Sequence, residues 1–140
     1  KKVDLGILRM SLNIAQLKGN QLTLSSAGMP PYFIYRAHNQ STEEIMLSGI
    51  PLGSFSKVEY DELTTEFNKG DILAIISDGL AEAPNANGEL FDYVQIQSIL
   101  TENSHMNAET LIKELMSQAD LWLAGAHNPD DITIVIIKHN

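Results

Sequence analysis

Asp78, Asp130 and Asp131 stand where apolar stretches meet loops. Asp78 and Gly79 end the run ILAIIS at 72–77, and Glu82 follows four residues after the aspartate. Further on, NPDDITIVIIK at 128–138 puts Asp130 and Asp131 immediately before a second apolar run. A carboxylate at the end of a buried strand is held firmly enough to position a hard cation. Oxygen donors without histidine or cysteine point to magnesium or manganese rather than zinc or copper. Each cluster also has a plain reading: Asp-Gly is ordinary turn chemistry, and acids beside proline often cap or solvate a loop. The combination argues for more. Both clusters adjoin the most apolar strands, natural neighbours in a sheet, so Asp78 and Asp130 are expected at one sheet edge with their carboxylates facing each other.

Other chemistries find no support. His38, His105, His127 and His139 show no ligand spacing and fall in loops or near the terminus. No GxSxG elbow and no GxxxxGK(S/T) loop is present. Ser77 has no nearby histidine base and reads as a strand residue. There is no cysteine, hence no disulfide framework, thiolate metal site or cysteine nucleophile. Eighteen acidic residues against nine basic give a net charge of −9, which would repel a nucleic-acid or anionic membrane surface and suits a protein that collects cations. No apolar run approaches the roughly 20 residues that span a bilayer, so no direct membrane contact and a cytoplasmic location are expected.

The elements that must position these residues follow from periodicity. Residues 5–17 and 21–26 read as strands flanking a KGN turn, 32–36 as a short strand, and EIML at 44–47 as another. Residues 58–67 alternate imperfectly, which predicts a bulge between Tyr60 and Leu63. ILAIIS is apolar on both faces and predicts a central strand; ITIVIIK at 132–138 predicts a second fully buried one. Between them lie two helices. Asp92 caps a short one carrying Tyr93, Ile96, Ile99 and Leu100. A longer one starts near Asn107 with Leu111, Leu115, Ala119, Trp122, Leu123 and Ala126 on one stripe and Gly125 near its end. Strands, then helices, then a strand indicate an α+β layered fold. At 140 residues the chain amounts to one domain, and its opening in strand-like material without methionine reads as a piece of something longer.

The order of SSAGMPP, GIPLG, KGDILAIISDGLAEAPNANGELF and PDDITIVII closely resembles the metal-dependent protein serine/threonine phosphatases of the type 2C superfamily. The nearer likeness is to the bacterial branch typified by stage II sporulation protein E and the phosphatases that regulate stress sigma factors. The resemblance implies a two-layer antiparallel β-sandwich flanked by helices, with two manganese or magnesium ions that activate a water for in-line attack on phosphoserine or phosphothreonine. It makes Asp78 and Asp130 metal ligands, with Gly79, Glu82 and Asp131 in supporting positions around them. It also implies a phosphorylated protein substrate, such as an anti-sigma-factor antagonist.

Two departures stand out. Met29 occupies a position where many members of the resembling family carry histidine. The family's Asp-x-x-Gly-His-Gly motif, with an earlier acidic residue, has no counterpart in residues 1–27. The chain is therefore expected to be the C-terminal portion of a single, N-terminally truncated phosphatase domain, inactive alone and holding at most one weakly bound ion. Self-association as a dimer through residues 5–17 follows from a stripped sheet edge. The alternatives are a phosphatase-like interaction or regulatory module without catalysis, and an unrelated α+β ligand-binding domain.

Overall fold

The computed structural model describes residues 8–140. Its elements run β1 (Leu12–Lys18), β2 (Gln21–Ala27), β3 (Tyr32–Arg36), β4 (Ser41–Ile45), β5 (Glu62–Glu66), β6 (Ile72–Ile76), α1 (Asp78–Ala81), α2 (Asp92–Glu102), α3 (Ala108–Leu123) and β7 (Ile134–Lys138). They form two compact units. Among the described residues, one comprises 8–29 together with Met46–Phe67, and the other Pro30–Ile45 with Asn68–Asn140. The α+β class and the two antiparallel sheets expected from the sequence are both present.

The first unit is a three-stranded sheet in the order β1-β2-β5. Lys18 pairs with Gln21 across a two-residue turn, and Gly19 adopts φ 57° there, a conformation that suits glycine. Alternation along β2 buries Leu22, Leu24 and Ser26, while Thr23 on the opposite face bonds the hydroxyl of Thr64 on β5 at 3.0 Å. The first strand is shorter than expected. It begins at Leu12, with Met10 making only an isolated bridge to Leu52, and residues 5–7 lie outside the described part. No bulge is needed in β5 either: the strand starts at Glu62, so Val58 and Tyr60 belong to the preceding loop and their parity is irrelevant.

The second unit carries the candidate site. Its sheet runs β4-β3-β6-β7, antiparallel throughout. One face presents Phe33, Tyr35, Ile72, Ala74 and Ile76 to a core completed by Ile96, Ile99 and Leu100 of α2 and Leu111, Leu115 and Ala119 of α3. Each fully buried aliphatic side chain in this layer contributes about 1.5–3 kcal/mol relative to exposure. Asn107 caps α3 by accepting from the Thr110 N–H at 2.9 Å, worth about 1 kcal/mol. The helix stops where Ala124 turns left-handed ahead of Gly125. Asp92 differs from its expected capping role: it takes φ 68° as the first residue of α2, with Phe91 before it as the N-cap.

Asp71 ties the start of β6 to its neighbours. Its buried carboxylate accepts from the N–H of Ala37 at 2.9 Å and of Asn68 at 3.0 Å, with the Arg36 guanidinium 3.4 Å away. Two strand expectations need correction. EIML moves upstream to Ser41–Ile45, because its register is set by pairing with Tyr32–Arg36 rather than by apolarity. The last strand is not fully buried. It starts at Ile134 and lies at the sheet edge, with Val135 45% and Ile137 37% exposed, because only its helix-facing side is covered. An apolar run cannot distinguish an edge strand from a central one when both of its faces are apolar.

Candidate functional site

The antiparallel pairing of β6 with β7 sets Ile76 opposite Ile134, so the C-terminal end of one strand meets the N-terminal end of the other. One more rung follows beyond the strands. The Ser77 N–H donates to the Thr133 carbonyl at 3.0 Å, and the Thr133 N–H returns a bond of 2.8 Å to Ser77 Oγ. A side-chain oxygen thus replaces the backbone carbonyl that would normally complete such a pair. This lets the main chain leave the sheet at Ser77 and wind directly into α1 at Asp78, where the Glu82 N–H closes the turn on the Asp78 carbonyl at 2.9 Å.

As part of an Asp-Gly pair, Gly79 reads from sequence as ordinary turn chemistry. Its role is different. Gly79 is buried inside the helical turn, and a Cβ built on it would lie 2.3 Å from the Asp131 carbonyl oxygen and 2.9 Å from that carbonyl carbon. Glycine is required here by close approach of two backbones. The segment carrying Asp130 and Asp131 is thereby seated directly on the segment carrying Asp78.

Polar contacts complete the seat. Asn128 Nδ2 donates to the Gly79 carbonyl at 2.9 Å, and Ser77 Oγ donates to the Asp131 carbonyl at 3.2 Å. The Asp131 N–H donates to Asp130 Oδ1 at 2.8 Å. Asp78, Glu82, Asp130 and Asp131 are all solvent-exposed, while Gly79 between the two acidic segments is buried. Asp78 and Asp130 therefore do occupy one end of one sheet. Ser77, read from sequence as a plain strand residue, and Asn128 are the contributors that the pattern did not reveal.

The donor set fits a hard divalent cation in kind, being carboxylate oxygen throughout. In number it falls short. Among the described residues no group of three or more His, Cys, Asp or Glu side chains comes close enough together to hold a metal ion.

The acidic end is felt on α2. Burial first, then the charges of Glu82 and Asp78, with smaller effects of Glu44 and Asp92, push the Tyr93 hydroxyl above its ordinary value of 10.0. Its ring packs on Phe33 with centroids 5.9 Å apart. Tyr93 was anticipated only as a helix-stripe residue, because its position beside Asp78 and Glu82 is a tertiary fact.

The two antiparallel sheets and their helices define the fold of PP2C phosphatase domains. The chain superimposes with a TM-score of 0.76 on the SiaA-PP2C domain of Pseudomonas aeruginosa, at 14% identity, covering 86% of this chain and 47% of that one. Against the PP2C phosphatase domain and regulatory fragment of the cell fate determinant SpoIIE from Bacillus subtilis, the TM-score is 0.75 at 21% identity, covering 98% and 42%. The profile of stage II sporulation protein E (SpoIIE) matches residues 6–140, and the chain belongs to that family. Among curated relatives, phosphoserine phosphatase RsbU of Bacillus subtilis (strain 168) is 26% identical over 119 residues, which are 85% of this chain and 35% of RsbU. Stage II sporulation protein E of the same organism is 23% identical over 135 residues, 94% of this chain and 16% of that protein. The chain thus spans about a third or less of the length of these relatives.

Among the described residues no helix is long and apolar enough to cross a membrane.

Proposed function

We propose that residues 1–140 are the C-terminal portion of a single metal-dependent protein phosphatase domain, acting in bacterial cytoplasmic signalling on a phosphoserine or phosphothreonine protein such as an anti-sigma-factor antagonist. The observation that carries the reading is the backbone contact of Gly79 with Asp131, which holds two acidic loops from distant parts of the chain against each other. Asp78 and Asp130 are the residues that would hold Mn2+ or Mg2+. When bound, such an ion supplies an activated water and neutralises charge on the phosphoryl group. Glu82 and Asp131 add negative potential beside the ligands, and the buried Gly79 keeps the two loops at contact distance. A chain of net charge −9 binds a phosphoprotein only where cations offset its own field.

One observation favours a second reading, a phosphatase-like interaction or regulatory module: the described residues contain no three-donor group. Both readings agree that two carboxylates alone hold an ion weakly, with water filling the remaining positions.

The test is manganese titration of the chain by calorimetry, paired with hydrolysis of an aryl phosphate. Residues 1–140 should bind at most one ion, weakly, lose it in Asp78→Asn, and show negligible turnover. The full-length protein that contains them should turn over the substrate with manganese. Manganese-dependent turnover by residues 1–140, lost in Asp130→Ala, would mean that the site is complete within this chain. An inactive full-length protein would favour the regulatory module.

A further inference from the structure

We propose that the outer edge of β4, with the stripe of α2 beside it, is a docking groove for an extended, lysine- or arginine-bearing segment of a partner protein, which adds to the sheet as a further strand. The groove lies apart from the acidic loops and its use needs no metal ion.

Among the described residues β4 ends its sheet, with β3 as its one neighbour. Edge backbone of this kind is a template for another strand. The register sets Thr42 opposite Tyr35 and Glu44 opposite Phe33, so these two side chains share the face on which the helices pack. Two contacts then fix α2 there: Thr42 Oγ1 and Thr101 Oγ1 lie 2.7 Å apart, and Gln97 Nε2 donates to Glu44 Oε2 at 3.1 Å. The later strand residue meets the earlier helix residue, so α2 runs antiparallel to β4. Farther out on the helix, Val94, Ser98 and Glu102 recur at i, i+4 and i+8, and all three are exposed. Between that stripe and Ser41 and Thr42 lies a groove of about 260 Å³. It is smaller than the roughly 300–1,000 Å³ of pockets that enclose small molecules. An added strand would run about 4.8 Å outside β4 and turn every second side chain into it.

Charge chooses the occupant. Glu102 lines the groove and Glu44 adjoins it through Gln97, whereas no lysine or arginine lines it. Among the described residues neither carboxylate has a cationic partner, and Arg36 on the neighbouring strand is already engaged by Glu43 and Asp71. A second copy of the chain is the wrong occupant. Antiparallel pairing of β4 with itself would bring Glu43 and Glu44 against the same residues of that copy, and like charges set opposite one another destabilise. The groove also sets a spacing. Val94, 67% exposed, offers an aliphatic contact at one end, and Glu102 takes a cation at the other. Eight helical residues rise about 12 Å, close to the roughly 13 Å of four strand residues. The partner segment therefore carries its basic and its aliphatic anchor four residues apart.

The probes are seven-residue threonine peptides with lysine second and valine sixth, or in the reverse order, since threonine favours extended backbone. One control replaces lysine by glutamate, and another puts proline at the centre, which keeps the charge and blocks pairing. Amide hydrogen exchange is followed in the chain and in the full-length protein that contains it. One of the two lysine peptides should slow exchange along β4 and leave β1 and β7 unchanged, while both controls leave β4 unchanged. Glu102→Lys should weaken the lysine peptide by about 5-fold and admit the glutamate peptide. Residue 102 is exposed at the C-terminal end of α2, where a cation suits the helix, so this variant keeps its fold. Equal binding of the lysine and proline peptides, protection at β1 or β7 instead, or unchanged affinity in Glu102→Lys would overturn the proposal. So would β4 protection that needs no peptide: rising with protein concentration it means a second copy, and present only in the full-length protein it means that the rest of the protein fills the groove.

Discussion

Replacing Gly79 by alanine sets two known effects against each other. In an open helix the change stabilises by roughly 0.8–1 kcal/mol, because glycine loses more backbone freedom on folding. Here the new methyl would sit 2.3 Å from the Asp131 carbonyl oxygen, when ordinary van der Waals contact begins at 3.4 Å. The shortfall, 3.4 − 2.3, is 1.1 Å, and the obstructing atoms are backbone that cannot rotate aside. Overpacking costs about 1–3 kcal/mol, and an overlap this deep with backbone belongs at the upper end, so the net loss is about 2 kcal/mol. Gly79→Ala is therefore expected to lower the urea midpoint at unchanged m-value and to drop Tm by roughly 3–10 °C for a chain of this size. It should also weaken manganese binding, because relief of the clash moves the loop that carries Asp130. The assay is equilibrium unfolding in urea beside a manganese titration of the same preparation. A variant as stable as the parent, or more so, would show that the loops separate freely and that their contact does not hold the site.

Tyr93→Phe tests the electrostatics. The folded protein holds the Tyr93 hydroxyl above its ordinary value, so it keeps a proton that the unfolded chain has begun to lose. That contribution to stability is fully present below about pH 10 and disappears as pH rises through the raised value, so the variant should lose less stability than the parent in that window. Identical alkaline limbs in urea titrations would contradict the placement of Tyr93 beside Asp78 and Glu82. Self-association is expected through β1, which lies at a sheet edge among the described residues and exposes Leu12, Ile14 and Leu17 by 37%, 54% and 44%. Sedimentation equilibrium should then report a dimer; a monomer of 15.4 kDa at high concentration would rule it out.

The elements with strong internal patterning were readable in advance. β2, β3 and β6 follow their alternation or their doubly apolar runs, and α3 follows its stripe and its Asn107 cap. The co-location of Asp78 and Asp130 was legible for the same reason, since two strongly apolar strands pair and bring opposite ends together. What escaped was tertiary. Nothing local to Gly79 says that a carbonyl from residue 131 will rest on it, and nothing local to Ser77 says that its hydroxyl will replace a backbone acceptor. The Asn128–Gly79 bond spans 49 residues and the Ser77–Thr133 bond 56, far beyond any periodicity window. β7 was misread as buried because its sequence is apolar on both faces, while the structure covers only one.

The dependence of the acidic end on β7 has a thermal side. The bond from Ser77 to the Asp131 carbonyl closes 54 residues of intervening chain, a loop whose length-dependent entropy amounts to about 3.5 kcal/mol. Part of what offsets that cost comes from a five-residue strand that lies at a sheet edge among the described residues and leaves Val135 and Ile137 exposed. Such a strand is expected to detach at a lower free energy than β3 and β6 beside it, which would part the segments carrying Asp78 and Asp130. The temperature at which the segments carrying Asp78 and Asp130 separate is then expected to fall below that of global unfolding.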